Sequence, residues 1–143
     1  MAYFARAERA HQRNTNELLK PFGLKQPEWR ILALAGELGK VSITELAEKV
    51  VIERTTIGKM TARLAEKGWL RKHGSRSDGR SVTLTLTPAG KKLLRQTSPM
   101  ILNLMAHYAS SLGYHQYESF FRTLQAYERS VVSTALSAAG HHQ

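Results

Sequence analysis

The chain has 143 residues, no cysteine, and 21 Lys plus Arg against 11 Asp plus Glu, for a net charge of +10 and a pI near 10.2. That length suits one domain with a core of its own, and the missing cysteines exclude disulfide scaffolding and thiol redox sensing. The charge is concentrated: Lys40 to Arg95 holds 13 basic and 5 acidic residues, +8 of the excess, which points to a polyanionic partner.

The first predicted helix is Ala2 to Leu19. Phe4, Ala7, His11, Asn14 and Leu18 follow a 3-4 stripe along it. His11 and Asn14 read either as polar groups satisfied inside a helical interface or as lining of a small-molecule pocket. Arg6, Arg9 and Arg13 share the helix and are candidates to face an acidic ligand. Nothing from Met1 to Lys20 resembles a signal peptide or membrane span, so the expected location is cytoplasmic. Lys20-Pro21-Phe22-Gly23 ends the helix.

Pro27 opens a second helix that runs to about Leu38, with Trp29, Leu32, Ala33 and Gly36 in a stripe. Trp29 reads first as a core aromatic. Gly39-Lys40-Val41 predicts a short extended piece that pairs with a hairpin farther on. Ser42 with Glu45 is a capping-box pattern, so a third helix begins at Ile43; Ile43, Leu46, Ala47 and Val50 form its apolar face. Val51-Ile52-Glu53 is a short turn without Pro or Gly.

A fourth helix is predicted from Arg54 to Lys67, stopped by Gly68. Ile57, Met60, Thr61 and Leu64 fall on one side. Thr55, Gly58, Lys59, Ala62 and Arg63 fall on the other, with Thr56 at the edge. Small side chains allow close approach, and hydroxyls and cations donate to phosphates and base edges, so this face suits a DNA major groove. A solvated amphipathic helix is the plainer reading. The hairpin that follows favours DNA. Trp69 to His73 reads as one strand, and Val82, Leu84 and Leu86 alternate with Thr83, Thr85 and Thr87 in another. The loop between them, Gly74 to Arg80, carries two arginines and one acid.

Thr87-Pro88 caps a long helix to about Leu112, with Leu93, Leu94, Thr97, Ile101, Leu104, Tyr108 and Leu112 on its apolar side. Pro99 predicts a kink within it. Gly113 breaks it, and residues 115 to 137 form the last helix. The fold class is therefore mainly α with a small β-hairpin wing, a winged helix-turn-helix plus helices with more apolar surface than one small domain covers. Residues 1–38 are expected to serve dimerisation and support, 39–90 DNA binding, and 91–143 dimerisation.

Gln26-Pro27-Glu28-Trp29-Arg30-Ile31-Leu32, Leu46-Ala47, Arg54-Thr55-Thr56, Leu64 to Leu70, Asp78-Gly79-Arg80 and Leu86-Thr87-Pro88-Ala89-Gly90 occur in an order and spacing that resembles the MarR (multiple antibiotic resistance regulator) transcription factors. The resemblance spans most of residues 24 to 90. It implies a homodimer on an inverted-repeat operator, usually a repressor released by an aromatic or phenolic acid bound between the dimer helices and the second helix. It makes Trp29 a candidate pocket wall.

The expected DNA-binding residues are Arg54, Thr55, Thr56, Lys59, Arg63, Arg76, Asp78 and Arg80. Arg80 would enter a minor groove and Asp78 would hold its guanidinium, as the family's Asp-x-Arg motif implies. Candidate ligand residues are Arg9, His11, Arg13 and Trp29. No cofactor is implied. His107, His115, His141 and His142 have no metal-ligand spacing, and no catalytic motif is present. A membrane surface is a weaker partner than DNA because no basic amphipathic helix exposes aromatics on its apolar side. A constitutive or architectural DNA-binding protein without an effector is the alternative function.

Overall fold

A computed structural model describes residues 2–74 and 82–139. The elements are α1 (Ala2–Leu19), a 3-10 turn (Lys20–Phe22), α2 (Gln26–Leu38), β1 (Val41–Ser42), α3 (Ile43–Val50), α4 (Arg54–Glu66), β2 (Leu70–His73), β3 (Thr83–Leu86), α5 (Pro88–Leu112) and α6 (Tyr114–Ala139). Two compact units, Met1–Leu102 and Asn103–Gln143, divide the chain within α5.

In the first unit, the sheet has the order β1-β3-β2 and is antiparallel throughout, with Val41 opposite Leu84 and Leu70 opposite Leu86. The predicted extended piece before Ser42 thus does pair with the hairpin. Leu19, Ile31, Leu32, Val41, Leu46, Ile57, Leu64 and Leu84 are fully buried in the unit's core, with Leu70 from β2 and Leu93 and Ile101 from α5 nearly so. The first two helices, expected to serve pairing and support, pack in the same unit as the winged motif.

The inward stripe of α1 differs from the predicted one. Thr15 and Leu19 are buried, whereas Phe4, Ala7 and Asn14 are exposed. Only the last turns of α1 meet the core, so its earlier periodicity does not report burial in this unit.

Local chemistry sets most of the boundaries. Ser42 Oγ accepts from the Glu45 N–H at 3.1 Å, and Glu45 Oε2 accepts from the Ser42 N–H at 2.8 Å, closing the capping box of α3. The Ser42 backbone N–H, then its hydroxyl, then nearby Lys49 hold the Glu45 carboxyl below its ordinary value. This contribution to stability is present above the ordinary carboxylate pKa and is lost as pH falls through the lowered one. At the other end of α3, Val51 adopts φ 57 and ψ 48. A β-branched residue is strained in this left-handed region, and its side chain is 82% exposed, so no packing offsets the strain.

The exit of α4 is a Schellman turn. Gly68 (φ 76) donates to Ala65 O at 2.9 Å and Trp69 donates to Leu64 O at 3.0 Å. Trp69 belongs to this cap, so β2 starts one residue later than predicted. The same turn is fastened to the start of α5. Thr87 Oγ1 donates to Gly68 O at 2.5 Å and accepts from the Gly90 N–H at 3.0 Å, and the Thr87 N–H donates to Trp69 O at 3.1 Å. A Cβ on Gly90 would lie 2.2 Å from Trp69 O, so only glycine fits against this backbone.

α5 continues through Pro99, which has no N–H for the Arg95 carbonyl one turn earlier. In the second unit, α6 runs slightly longer than predicted. None of its side chains from 114 to 134 is buried. Tyr117 and Phe121 rings approach to 4.7 Å and Phe120 and Phe121 to 5.4 Å.

Gly90→Ala should destabilise the chain by about 1–3 kcal/mol, since a methyl is forced into a backbone carbonyl. Urea unfolding measures this as a lower midpoint with an unchanged slope.

Candidate nucleic-acid interface

Arg54, Thr55, Thr56 and Lys59 are all exposed on the N-terminal half of α4. Ile57, Thr61 and Leu64 are buried on its opposite side, as the 100° spacing predicts. The burial of Thr61 is affordable because its hydroxyl donates to Gly58 O at 3.1 Å. The first turn of α4 holds no acid, and Glu53 at the N-cap makes no side-chain capping bond. Thr55 Oγ1 instead donates to Glu53 Oε1 at 3.3 Å. The helix start therefore presents backbone N–H groups and cationic and hydroxyl side chains together, the chemistry of a phosphate-contacting, groove-reading helix.

Gly58 belongs to this half of the helix. A Cβ there would meet nothing within 4 Å. The fold does not require glycine at this position, although glycine in a helix interior costs about 0.5–1 kcal/mol relative to alanine. What it provides is room for another backbone to come close.

Arg63 behaves differently from the other expected contacts. Its Nη1 lies 3.1 Å from Glu28 Oε1, and the Glu28 side chain is 3% exposed against 55% for Arg63. One turn on, Lys67 Nζ donates to Gly23 O at 2.8 Å and sits 4.8 Å from the centroid of the Trp69 ring. The C-terminal half of α4 is thus tied to the corner between α1 and α2. Sequence spacing could not reveal Glu28, because 35 residues separate it from Arg63.

Along β2, Leu70 is buried while Arg71, Lys72 and His73 are exposed, on a strand at the edge of the sheet. Arg71 and Lys72 add cations to the wing stem that the predicted set omitted. The signal was present as two consecutive cations directly after the apolar Leu70. Arg76, Asp78 and Arg80 lie outside the described residues.

The candidate ligand residues do not gather in one place. Arg9 and Arg13 line a concavity of about 650 Å³ on one face of α1 with Tyr3, Arg6, Ala7 and Ala10. Trp29 lines a separate cleft of about 510 Å³ with Ala33, Gly36, Leu86, Lys91, Leu94, Arg95, Ser98 and Leu102. His11 lines neither. Trp29 Nε1 donates to the buried Thr97 Oγ1 at 3.0 Å, and that hydroxyl donates to Leu93 O at 2.9 Å. Lys91 and Arg95 were missed, although their i, i+4 spacing, with Leu94 and Ser98 each three residues on, puts them on one side of α5. No group of three or more His, Cys, Asp or Glu suited to a metal occurs among the described residues. No helix among them is long and apolar enough to cross a membrane.

Residues 24–82 match the sequence model of the MarR family. Over that segment, which holds the winged motif, the chain is similar to the MarR family. It is a DNA-binding transcriptional regulator built on a winged helix-turn-helix. The HTH-type transcriptional repressor IacR of Pseudomonas putida is 27% identical over 123 residues, covering 86% of this chain and 74% of that protein. A mutant MarR from E. coli complexed with operator DNA has a TM-score of 0.78 at 19% identity, covering 87% of this chain and 90% of the other. NadR in complex with 4-hydroxyphenylacetate has a TM-score of 0.74 at 22% identity, covering 87% and 89%. At these identities the two solved structures establish likeness of fold.

Two substitutions separate the MarR-type helix as scaffold from the same helix as DNA contact. Gly58→Ala should raise stability by about 0.5–1 kcal/mol while weakening DNA binding, read by thermal unfolding and fluorescence anisotropy on the same sample. Lys59→Gln should leave the melting temperature in place and lower the slope of log affinity against log salt by about 0.9.

Proposed function

We propose that this MarR-like regulator acts as a homodimeric repressor that grips an inverted-repeat operator and is released by a small aromatic or phenolic acid. The observation that carries the reading is the outer face of α4: Arg54, Thr55, Thr56 and Lys59 exposed together, with no acid in the first turn. Two such helices related by a two-fold axis would meet successive major grooves about 34 Å apart. Pairing is supported by α6, which leaves Phe120, Phe121, Tyr127, Val131 and Val132 between 36% and 53% exposed. An apolar face of that size on a 26-residue helix calls for a partner surface. On the wing, Arg80 enters a minor groove, Asp78 orients it and Arg76 touches phosphate.

The cleft beside Trp29 supports the effector half of the reading. It offers an indole and aliphatic side chains to a ring, and Lys91 and Arg95 to a carboxylate. The 4-hydroxyphenylacetate in the NadR complex belongs to this chemical class. Coupling between two such sites of about 1–3 kcal/mol changes affinity 5- to 150-fold, enough to empty a half-occupied operator.

Selection of bound duplexes from random sequence tests the reading. Recovery of an inverted repeat, together with a dimer in sedimentation, is the expected result. Affinity for the recovered duplex should then fall at least fivefold with one member of a panel of aromatic carboxylates. Recovery of no symmetric sequence and no response to any acid would instead indicate a constitutive architectural protein. Arg80→Ala should weaken operator binding by about 1–3 kcal/mol with the melting temperature unchanged.

A further inference from the structure

We propose that Glu28 is a positioning residue for the DNA-reading helix, and that Arg63 serves this carboxylate rather than a DNA phosphate. The proposal rests on the reading of α4 as the helix that enters the groove.

Both oxygens of Glu28 are occupied. Oε1 takes Nη1 of Arg63 at 3.1 Å, and Oε2 accepts the Lys25 N–H at 3.0 Å. The start of α2 is fixed in turn, because the Gln26 N–H donates to Asn16 Oδ1 at 2.7 Å. Glu28 is therefore a rigid anchor, 2% exposed, standing on a helix start that α1 holds in place. Arg63 reaches that anchor from α4, and Lys67, four residues on, reaches Gly23 O on the same corner. Residues four apart lie along one line of a helix surface. Both bonds hold α4 off its axis, so with the buried Ile57, Thr61 and Leu64 they fix its roll, and their separation along the helix resists tilt.

That rotation decides which side chains face the groove. A roll by one residue's 100° would replace Thr55 and Lys59 with their neighbours, so the rotational setting is a matter of specificity more than of general attraction. Coulomb energetics argue against Arg63 exchanging Glu28 for a phosphate. Leaving would strand a buried carboxylate, which costs more than one exposed phosphate contact returns. Charge on the helix and charge available to DNA are thus different quantities here.

The experiment uses the full chain, the duplex recovered by selection and a random-sequence duplex, each titrated over a salt series. Glu28→Gln keeps an acceptor for the Lys25 N–H but loosens the hold on Arg63. It should cut the ratio of selected to random affinity about tenfold, with random-duplex binding unchanged or tighter. Glu28→Gln/Arg63→Gln removes the charges together and should show the same loss of ratio, with an unchanged salt slope on random duplex. A salt slope smaller by about 0.9 in the double variant marks Arg63 as a phosphate contact and overturns the proposal. So does a lower melting temperature with the affinity ratio intact, which marks Glu28 as structural only. If the wild-type chain itself does not distinguish the two duplexes, the fault lies with the groove-reading assignment of α4, and the proposal falls with it.

Discussion

The backbone joint between Gly68-Trp69 and Thr87-Gly90 governs the arrangement of the first unit. Two hydrogen bonds cross it, a third braces Thr87 against Gly90, and a glycine is required where the chains touch. It makes the last turn of α4 and the first turn of α5 a single object. The wing strands leave and return between these two points, so their spacing is set by the joint before any strand pairing is considered. A movement of α5 near the joint is necessarily delivered to α4. Because Gly90 abuts the Trp69 carbonyl backbone to backbone, that part of the joint tolerates little adjustment by side-chain rotation.

The part-buried hydrogen bond from the Trp29 indole to the Thr97 hydroxyl ties α2 to α5, about two turns past Gly90. The cleft that contains Trp29, Lys91 and Arg95 lies along this stretch of α5. A molecule seated there would press on a helix whose start is continuous with the exit of the DNA-reading helix. The path is short and made of packed backbone, the kind of connection through which a binding event at one place can bias another.

What could be read from the sequence was what local chemistry dictates. Ser42 with Glu45, Thr87 with Pro88, and Gly68 each mark a helix end through bonds to residues within a few positions, and the structure forms those bonds. The buried face of α4 followed from periodicity alone. The features that escaped depend on distant partners. Glu28 carries no local signal of its partner, because Arg63 lies 35 residues on, and Lys91 with Arg95 became part of a cleft only through Trp29. The stripe on α1 is not the side that reaches this unit's core, where Thr15 and Leu19 are buried instead. Arg9 and Arg13 line one concavity and Trp29 another, a separation that depends on how α1 and α5 pack and that no local pattern encodes.

Val51 has an evolutionary consequence. Its left-handed backbone leaves the turn between α3 and α4 with unrelieved strain at a side chain that packs against nothing. Glycine occupies that region without penalty, and every valine codon lies a single base from a glycine codon. The lineage therefore holds an unspent reserve of stability directly beside its reading helix. A destabilising change that re-aims that helix toward a new target could be compensated in one mutational step, without disturbing the core.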